Sequence, residues 1–262
     1  MVAKNLGLIF KYFNLNIRKA YQYKTSFFMS IIMMICNNAF FIIQWLIIFS
    51  VTDKIGNYGF KEVMLLWALS AGTYGVAHVF FEGAFNIGSL VYEGKLDVYL
   101  TQPKSVLINL SCSESSISAI GDLLYTFIAL AIAGAPWWWY LAIIPVSIVG
   151  GIIYVAVVTC FQTLSFYVKR GSSIADMINS AVTMFGNYPP IIFNSIVKVI
   201  LFTIVPCGFM VFAPAENLFL GFNIWWILGM IGFAILTTIL AFVLFRRGLR
   251  KYNSGSLMGG RL

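Results

Sequence analysis

The side chains that could carry out chemistry are few in this sequence, and most of them are isolated. The only histidine, His78, stands four residues before Glu82, so both would fall on one face of a helix. Zinc sites use three or four protein ligands, and this pair supplies two. We interpret the pair first as a structural contact near the inner end of a membrane span, second as a contact for a substrate or proton, and last as part of a metal site. We predict no metal site and no catalytic residue.

The sequence also lacks a phosphate-binding loop for nucleotide hydrolysis. Such a loop needs two glycines with four residues between them, followed by Lys and then Ser or Thr, so that backbone N–H groups cradle phosphate. The nearest approach, Gly88 followed by Gly94, Lys95 and Leu96, has one residue too many and a leucine in place of the hydroxyl. We therefore expect this chain to bind no cofactor itself.

Acidic residues at the middle of a membrane span would point to ion-driven transport. Asp122, Asp176 and Glu216 all lie near the ends of the spans assigned below. We therefore expect any transport by this chain to draw its energy from a separate subunit, and an ion-driven carrier is the weaker alternative.

The composition is that of an all-α integral membrane protein. Of 262 residues, 60% are hydrophobic and 10% are charged, and the mean hydropathy is +0.89. Residues 123–168 form a run of 46 without a charge, interrupted near its middle by Ala-Pro-Trp-Trp-Trp-Tyr at 135–140. A helix needs about 20 apolar residues to cross roughly 30 Å of hydrocarbon, so this run is long enough for two crossings. The long apolar runs exclude a β-barrel, whose strands alternate apolar and polar residues.

The first 25 residues are predicted to form an amphipathic helix that lies in the membrane interface. Apolar residues from Val2 to Tyr21 recur on one helical face, while Lys4, Lys11 and Arg18 recur every seven residues on another. The alternative is a charged tail ahead of the first span, without a helix of its own.

A single transmembrane domain is expected over residues 26–246, followed by a basic cytoplasmic tail at 247–262. Six spans are predicted, at about 26–51, 63–85, 118–135, 141–167, 172–188 and 224–245, with a re-entrant region at about 190–218. Four prolines interrupt the last part, so a second interpretation is open, in which 172–190 is interfacial and 198–216 is the fifth span. Asn37 and Asn38 in the first span would be costly against lipid, so we expect them to face protein or a translocation pathway.

Basic residues near the span ends set the orientation. Residues before the first span and after the last each carry five Lys or Arg and no acid, so both termini should be cytoplasmic. Two cytoplasmic termini require an even number of spans, and six fits. Loop 53–62 and the tryptophans at 137–139 are then outside, and loop 86–116 is inside.

The inner loop between the second and third spans is the one polar segment with enough features to dock a partner. Leu90, Leu96, Val98 and Leu100 offer apolar contacts among charged residues, and Pro103 would end any helix. A short helix of this kind fits a groove on a partner protein. The alternative is a solvated connecting loop.

Three stretches of the sequence carry a resemblance that covers nearly the whole chain. They are EGKLDVYLTQP in the inner loop, NYPPIIF at 187–193 and VPCGFMVFAPAENLFLG at 205–221. Together with the order of helices, they make the chain similar to the permease subunits of type-2 ABC exporters. It most resembles the branch with a G-x-L-D-x-x-L-x-x-P loop, matched here by Gly94, Leu96, Asp97, Leu100 and Pro103.

The resemblance implies a role for the inner loop. In that family the loop holds a cytoplasmic coupling helix that sits on the ATP-binding subunit, where ATP and Mg are bound. Carried over, this assigns coupling to Tyr92, Glu93, Gly94, Lys95, Leu96, Asp97, Leu100 and Pro103. It also favours the first interpretation of residues 172–221, with a re-entrant pair before the last span.

The resemblance also implies partners and a function. The chain would be one permease of a heterodimer with a second homologous permease, bound to two ABC ATP-binding subunits in the lipid bilayer of a bacterial cell membrane, with no nucleic acid involved. The aromatic, Met-rich and nearly uncharged spans favour a hydrophobic or amphipathic substrate for export. The alternative is a non-transporting membrane scaffold or sensor that docks a cytoplasmic partner through the inner loop.

We predict that a thiol introduced at Asn57 reacts with a membrane-impermeant maleimide added outside intact cells, in a background without the four native cysteines. A thiol introduced at Ser105 should react only after the membrane is opened, because the loop between the second and third spans is placed inside. The reverse labelling pattern would overturn the orientation.

Overall fold

Helices follow the apolar runs of the sequence through almost the whole chain. The computed structural model describes residues 2–102, 105–168, 171–219, 221 and 223–252, with side chains described from residue 7 onward. Within these ranges the chain forms twelve α-helices and no β-strand, which confirms the predicted all-α membrane class. The helices are α1 (Val2–Tyr21), α2 (Lys24–Val51), α3 (Phe60–Phe81), α4 (Ile87–Tyr92), α5 (Asp97–Leu100), α6 (Val106–Ser111), α7 (Ala119–Ile132), α8 (Trp137–Gln162), α9 (Gly171–Phe185), α10 (Ser195–Thr203), α11 (Ala213–Phe219) and α12 (Ile224–Leu249).

Four helical segments of the described chain are long and apolar enough to cross a membrane. They are Lys24–Val51, Phe60–Tyr92, Trp137–Phe166 and Ile224–Leu249. A fifth arises if α10 and the segment Gly208–Phe219, which meet at an angle of 84°, count as one span. The number of spans is thus four or five by this measure. Six spans, with α7 and α9 also crossing, stay a prediction, since α7 has 14 residues and α9 has 15.

The central helix is α3, and the other long helices pack around it. It is apolar on every side, and 15 of its 22 residues are buried. A helix without a polar face is stable only where neighbours or lipid cover it all round. α3 packs against α7 and α8, and α8 packs in turn against α12.

The outermost long helix, α2, has the opposite character. Of its 28 residues, only Asn38 and Trp45 are buried. Apolar side chains such as Phe40 and Ile47 are exposed, as expected of a helix that faces lipid or a second membrane subunit, while Phe41 and Phe49 pack against the core.

Small residues allow α3, α7 and α8 to approach closely. A methyl group added at Gly75 would lie 3.1 Å from the backbone nitrogen of Leu123 in α7. One added at Gly151 in α8 would lie 3.0 Å from Cβ of Val76 in α3. Gly75 and Gly151 therefore let these helices approach closely, and contacts of this kind stabilise helix pairs where no hydrophobic effect can act.

The turn between α7 and α8 is fixed by a glycine in the left-handed region. Gly134 has φ +63° and its N–H donates to the carbonyl of Ala131, while Ala135 N–H donates to the carbonyl of Leu130. These two bonds form a Schellman motif, which ends α7. Pro136 then stands at the N-cap of α8, where its missing N–H leaves no bond unmade.

The segment at 190–218 is broken at Pro206. Asn194 caps α10 by accepting a hydrogen bond from Val197 N–H at 2.9 Å, and a π-helical turn at Gly208–Phe212 leads into α11. Tyr58 of the loop before α3 donates a hydrogen bond to Glu216 of α11. Burial first, and then the charge of Glu216, raise the pKa of Tyr58. The bend therefore folds back against the loop that precedes α3.

The N-terminal helix α1 packs on the bundle through part of its apolar face. The rings of Phe13 and Phe80 lie 5.1 Å apart, and Asn16 donates a hydrogen bond to Ser115 at 3.0 Å. Lys11, Arg18 and Lys19 are exposed. Its predicted position in the membrane interface stays a prediction.

The predicted tail at 247–262 starts within α12, and residues 253–262 lie outside the described residues.

We predict that Gly151→Leu destabilises the protein by roughly 1–3 kcal/mol, because the larger side chain overpacks the contact between α3 and α8. Thermal unfolding in detergent, followed by size-exclusion chromatography, measures the effect. Gly232→Leu is the matched control, since a methyl group at Gly232 of α12 meets no atom within 4 Å. Equal unfolding temperatures for the two variants would contradict the assigned packing.

Candidate functional site

The predicted docking loop forms two short helices, α4 and α5, joined by a tight turn. Gly94 has φ +69°, and its N–H donates to the carbonyl of Val91 while Lys95 N–H donates to the carbonyl of Leu90. This Schellman motif needs glycine, because a left-handed conformation costs any other residue roughly 1–2 kcal/mol. The left-handed backbone conformation thus explains why this position of the sequence motif is a glycine.

The apolar side chains of the loop divide into an exposed set and a buried set. Tyr92, Val98 and Leu100 are 48%, 65% and 44% exposed. Leu96, by contrast, is fully buried in a cluster with Leu107, Leu110 and Phe245, and Leu90 packs at the edge of that cluster. Leu96 therefore anchors the loop to the bundle, and the exposed set remains free to meet a partner. Pro103 lies outside the described residues.

The charged residues of the loop are held near its surface. Lys95 Nζ lies 2.6 Å from Glu93 Oε2, with both side chains largely exposed, and this hydrogen bond and the charge of Glu93 raise the pKa of Lys95. Asp97 faces Tyr252, which follows α12, and burial together with the charge of Asp97 raises the pKa of that tyrosine. The end of α12 therefore packs against the loop.

A glutamine that the sequence analysis did not single out ties the loop to α8. The Gln162 amide nitrogen donates to the carbonyl of Phe85, and its oxygen accepts a hydrogen bond from Gly88 N–H at 2.9 Å. Gln162 itself is buried. This one side chain satisfies two backbone groups, of which Gly88 N–H is buried, at the point where α3 gives way to the loop.

The same region also touches the start of α9. A methyl group added at Gly88 would lie 2.5 Å from Cβ of Ser172 and 2.6 Å from Oε1 of Gln162. α4 and the first turn of α9 therefore approach within a distance that only glycine permits. Nearer the N-terminal end of α8, Tyr154 donates a hydrogen bond to Asn179 of α9.

His78 and Glu82 share one helix face as predicted, and their contact is 2.6 Å. The His78 ring lies between the rings of Tyr74 and Phe85, with centroids 4.0 Å and 4.1 Å away. Among the described residues no group of three or more metal-binding side chains occurs. The stacking favours the structural interpretation of the pair.

Asn37 and Asn38 occupy different environments. Asn37 is exposed on α2, and Asn38 is buried and donates a hydrogen bond to Asp122 Oδ1 at 2.7 Å. Asp122 lies in the first turn of α7, near the end of that helix as expected, and its partner Asn38 lies near the middle of the 28-residue α2.

A cavity of about 450 Å³ lies between α2, α3, α7 and α9, with Met210 and Val211 at one end. Asn37, Asn38 and Asp122 line it together with aromatic rings from α2, α3 and α8. Its volume falls in the range of roughly 300–1,000 Å³ typical of pockets for drug-sized ligands. The cavity thus brings the predicted residues Asn37 and Asn38 together with Asp122, an acid that the sequence analysis did not connect with them.

A profile of the family described as "ABC-2 family transporter protein" matches residues 26–256 of the chain. No curated protein and no solved structure matches it. The matched residues include the docking loop, the residues that line the cavity, and the helices from α2 to α12 except for the first two residues of α2.

We predict that Gln162→Leu speeds amide hydrogen exchange of residues 86–90 by about tenfold or more, because buried hydrogen bonds contribute about 1–3 kcal/mol when their loss leaves a partner unpaired. Exchange followed by mass spectrometry measures the effect. Gln44→Leu is the matched control, since Gln44 contacts Tyr188 and lies away from the loop. Unchanged exchange of Gly88 in Gln162→Leu would contradict the role given to this side chain.

Proposed function

The chain belongs to the ABC-2 family of transporters, and we propose that it is the permease subunit of an ATP-driven exporter in a bacterial cell membrane. The observation that carries the proposal is the docking loop, which is anchored to the bundle on one side and leaves three apolar side chains uncovered on the other. Transport of this kind draws its energy from ATP-binding subunits, which bind ATP and Mg outside this chain.

The exposed part of the loop supports docking on such a subunit. Tyr92, Val98 and Leu100 form an apolar surface beside the charged pair Glu93 and Lys95. Apolar anchors surrounded by polar residues are typical of protein interfaces. The buried Leu96 and the Gln162 hydrogen bonds keep the loop in position, so a displacement imposed on it would pass to α8 and α9.

The exposed face of α2 supports a second permease as partner. Asn37 is exposed there among large apolar side chains, and a polar amide facing lipid is costly. Ser180 and Thr183 of α9 line the cavity that Asn37 also lines, and both side chains are exposed. We propose that a homologous permease, in a heterodimer, covers this face, and that the pathway for a hydrophobic or amphipathic substrate runs between the two chains.

The orientation of the exporter follows from the charge pattern. With both termini cytoplasmic, the docking loop lies on the side where ATP is available. Alternating exposure of the pathway then requires that the substrate bind one state of the dimer better than the other.

We predict that Val98→Asp lowers the amount of ATP-binding subunit retained by the tagged chain by about tenfold or more, because truncation or charging of a central apolar contact costs at least about 1–2 kcal/mol. The tagged chain is co-expressed with the ATP-binding subunit, and retention and stimulated ATP hydrolysis are measured together.

Val51→Asp is the matched control, since Val51 is strongly exposed at the C-terminal end of α2, next to the loop that is predicted to lie outside. Equal retention by Val98→Asp and the native chain would contradict docking through this loop. Retention of the subunit without any transport by the assembled complex would instead support the scaffold or sensor.

A further inference from the structure

The cavity between α2, α3, α7 and α9 contains one acidic group. Asp122 is 5% exposed, and its Oδ1 accepts the hydrogen bond from Asn38. Its second carboxylate oxygen, Oδ2, is buried and has no hydrogen-bond partner among the described residues. No basic side chain of the described chain lies within ion-pair distance of Asp122. One half of this carboxylate is thus left without a partner in a cavity large enough for a ligand.

The free energy of this arrangement calls for a partner. Burying an unpaired carboxylate costs several kcal/mol, and a single amide hydrogen bond offsets only part of that cost. Asn38 lies near the middle of α2, too far from the ends of this helix for headgroup water to solvate the pair easily. Protonation would remove this charge, whereas a group that brings positive charge into the cavity would pair with the carboxylate and complete the site.

The walls of the cavity suit the remainder of such a ligand. Phe41, Trp67, Tyr74 and Tyr188 line it. Aromatic faces attract cations and also accept flat apolar groups, so the same rings serve both parts of an amphipathic molecule. The polar side chains Asn37, Ser180 and Thr183 are exposed where the cavity opens.

We propose that this cavity is a binding site for an amphipathic organic cation whose charged group pairs with Asp122. The proposal rests on the proposed function and narrows its substrate class from hydrophobic or amphipathic to cationic. Asp122 and Asn38 together hold the charge, and the aromatic walls hold the apolar body.

The test compares two ions of nearly the same size and shape, tetraphenylphosphonium and tetraphenylborate, binding to the full chain in lipid nanodiscs. Equilibrium dialysis measures the affinity for each. We expect the cation to bind at least tenfold more tightly than the anion. We also expect Asp122→Asn to lower the affinity for the cation by tenfold or more, with recovery in Asp122→Glu. The matched control, Asp176→Asn, removes an exposed acid of α9 that does not line the cavity.

A second measurement needs no substitution and so does not depend on the folding of a variant. Dicyclohexylcarbodiimide modifies carboxyl groups in apolar surroundings, and mass spectrometry detects the adduct at Asp122. Tetraphenylphosphonium should reduce this modification, and tetraphenylborate should not. Three binding results would each overturn the proposal: the cation does not bind, the two ions bind equally, or a folded Asp122→Asn keeps its affinity for the cation. Modification of Asp122 that tetraphenylphosphonium does not reduce would also overturn it.

The outcome is separable from that of the proposed function. Retention of the ATP-binding subunit depends on the docking loop, and Asp122→Asn should leave it unchanged. If the chain retains the ATP-binding subunit but does not bind the cation, the permease function stands and the substrate is of another class. Val98→Asp should lose the ATP-binding subunit and still bind the cation.

Discussion

The structure depends on how the backbone is satisfied where α3 leaves the bundle and the docking loop begins. A buried N–H or C=O without a partner costs about as much as a lost hydrogen bond, and no water is expected in so closely packed a junction. The amide of Gln162 bonds both Phe85 and Gly88 and so fixes this junction to the end of α8. The glycine at 88 then allows α9 to approach, which makes the loop, α8 and α9 parts of one packed unit.

This unit connects the two regions that the proposed function needs. On one side, the burial of Leu96 holds α5 against the cluster around Phe245, so that Val98 faces outward. On the other side, α9 forms a wall of the cavity that contains Asp122, and Tyr154 bonds α8 to α9 at Asn179. A force applied to the loop would therefore move a wall of the cavity rather than deform the loop alone.

Composition and apolar run length were enough to predict the helical membrane class. The resemblance identified the family that the profile match shows. The contact between Asn38 and Asp122 could not be predicted, because its partners stand 84 positions apart and only the packing of α2 on α7 joins them. Gln162 was overlooked because it ends an apolar run, where a lone amide gives no periodic signal. The shortness of α7 and α9 leaves six spans as a prediction.

The central claim is that the loop and α9 move as one body. Distances between pairs of spin labels, measured by pulsed electron paramagnetic resonance in the assembled exporter, test it most directly. Spin labels at Thr101, an exposed loop residue outside the proposed docking surface, and Ser173 report on the loop and α9. Labels at Thr101 and Cys36 report on the loop and α2, with the other cysteines replaced. Between the nucleotide-free and ATP-trapped states, the account predicts an unchanged distance from Thr101 to Ser173 and a changed distance from Thr101 to Cys36. A change between Thr101 and Ser173 as large as that between Thr101 and Cys36 would contradict it.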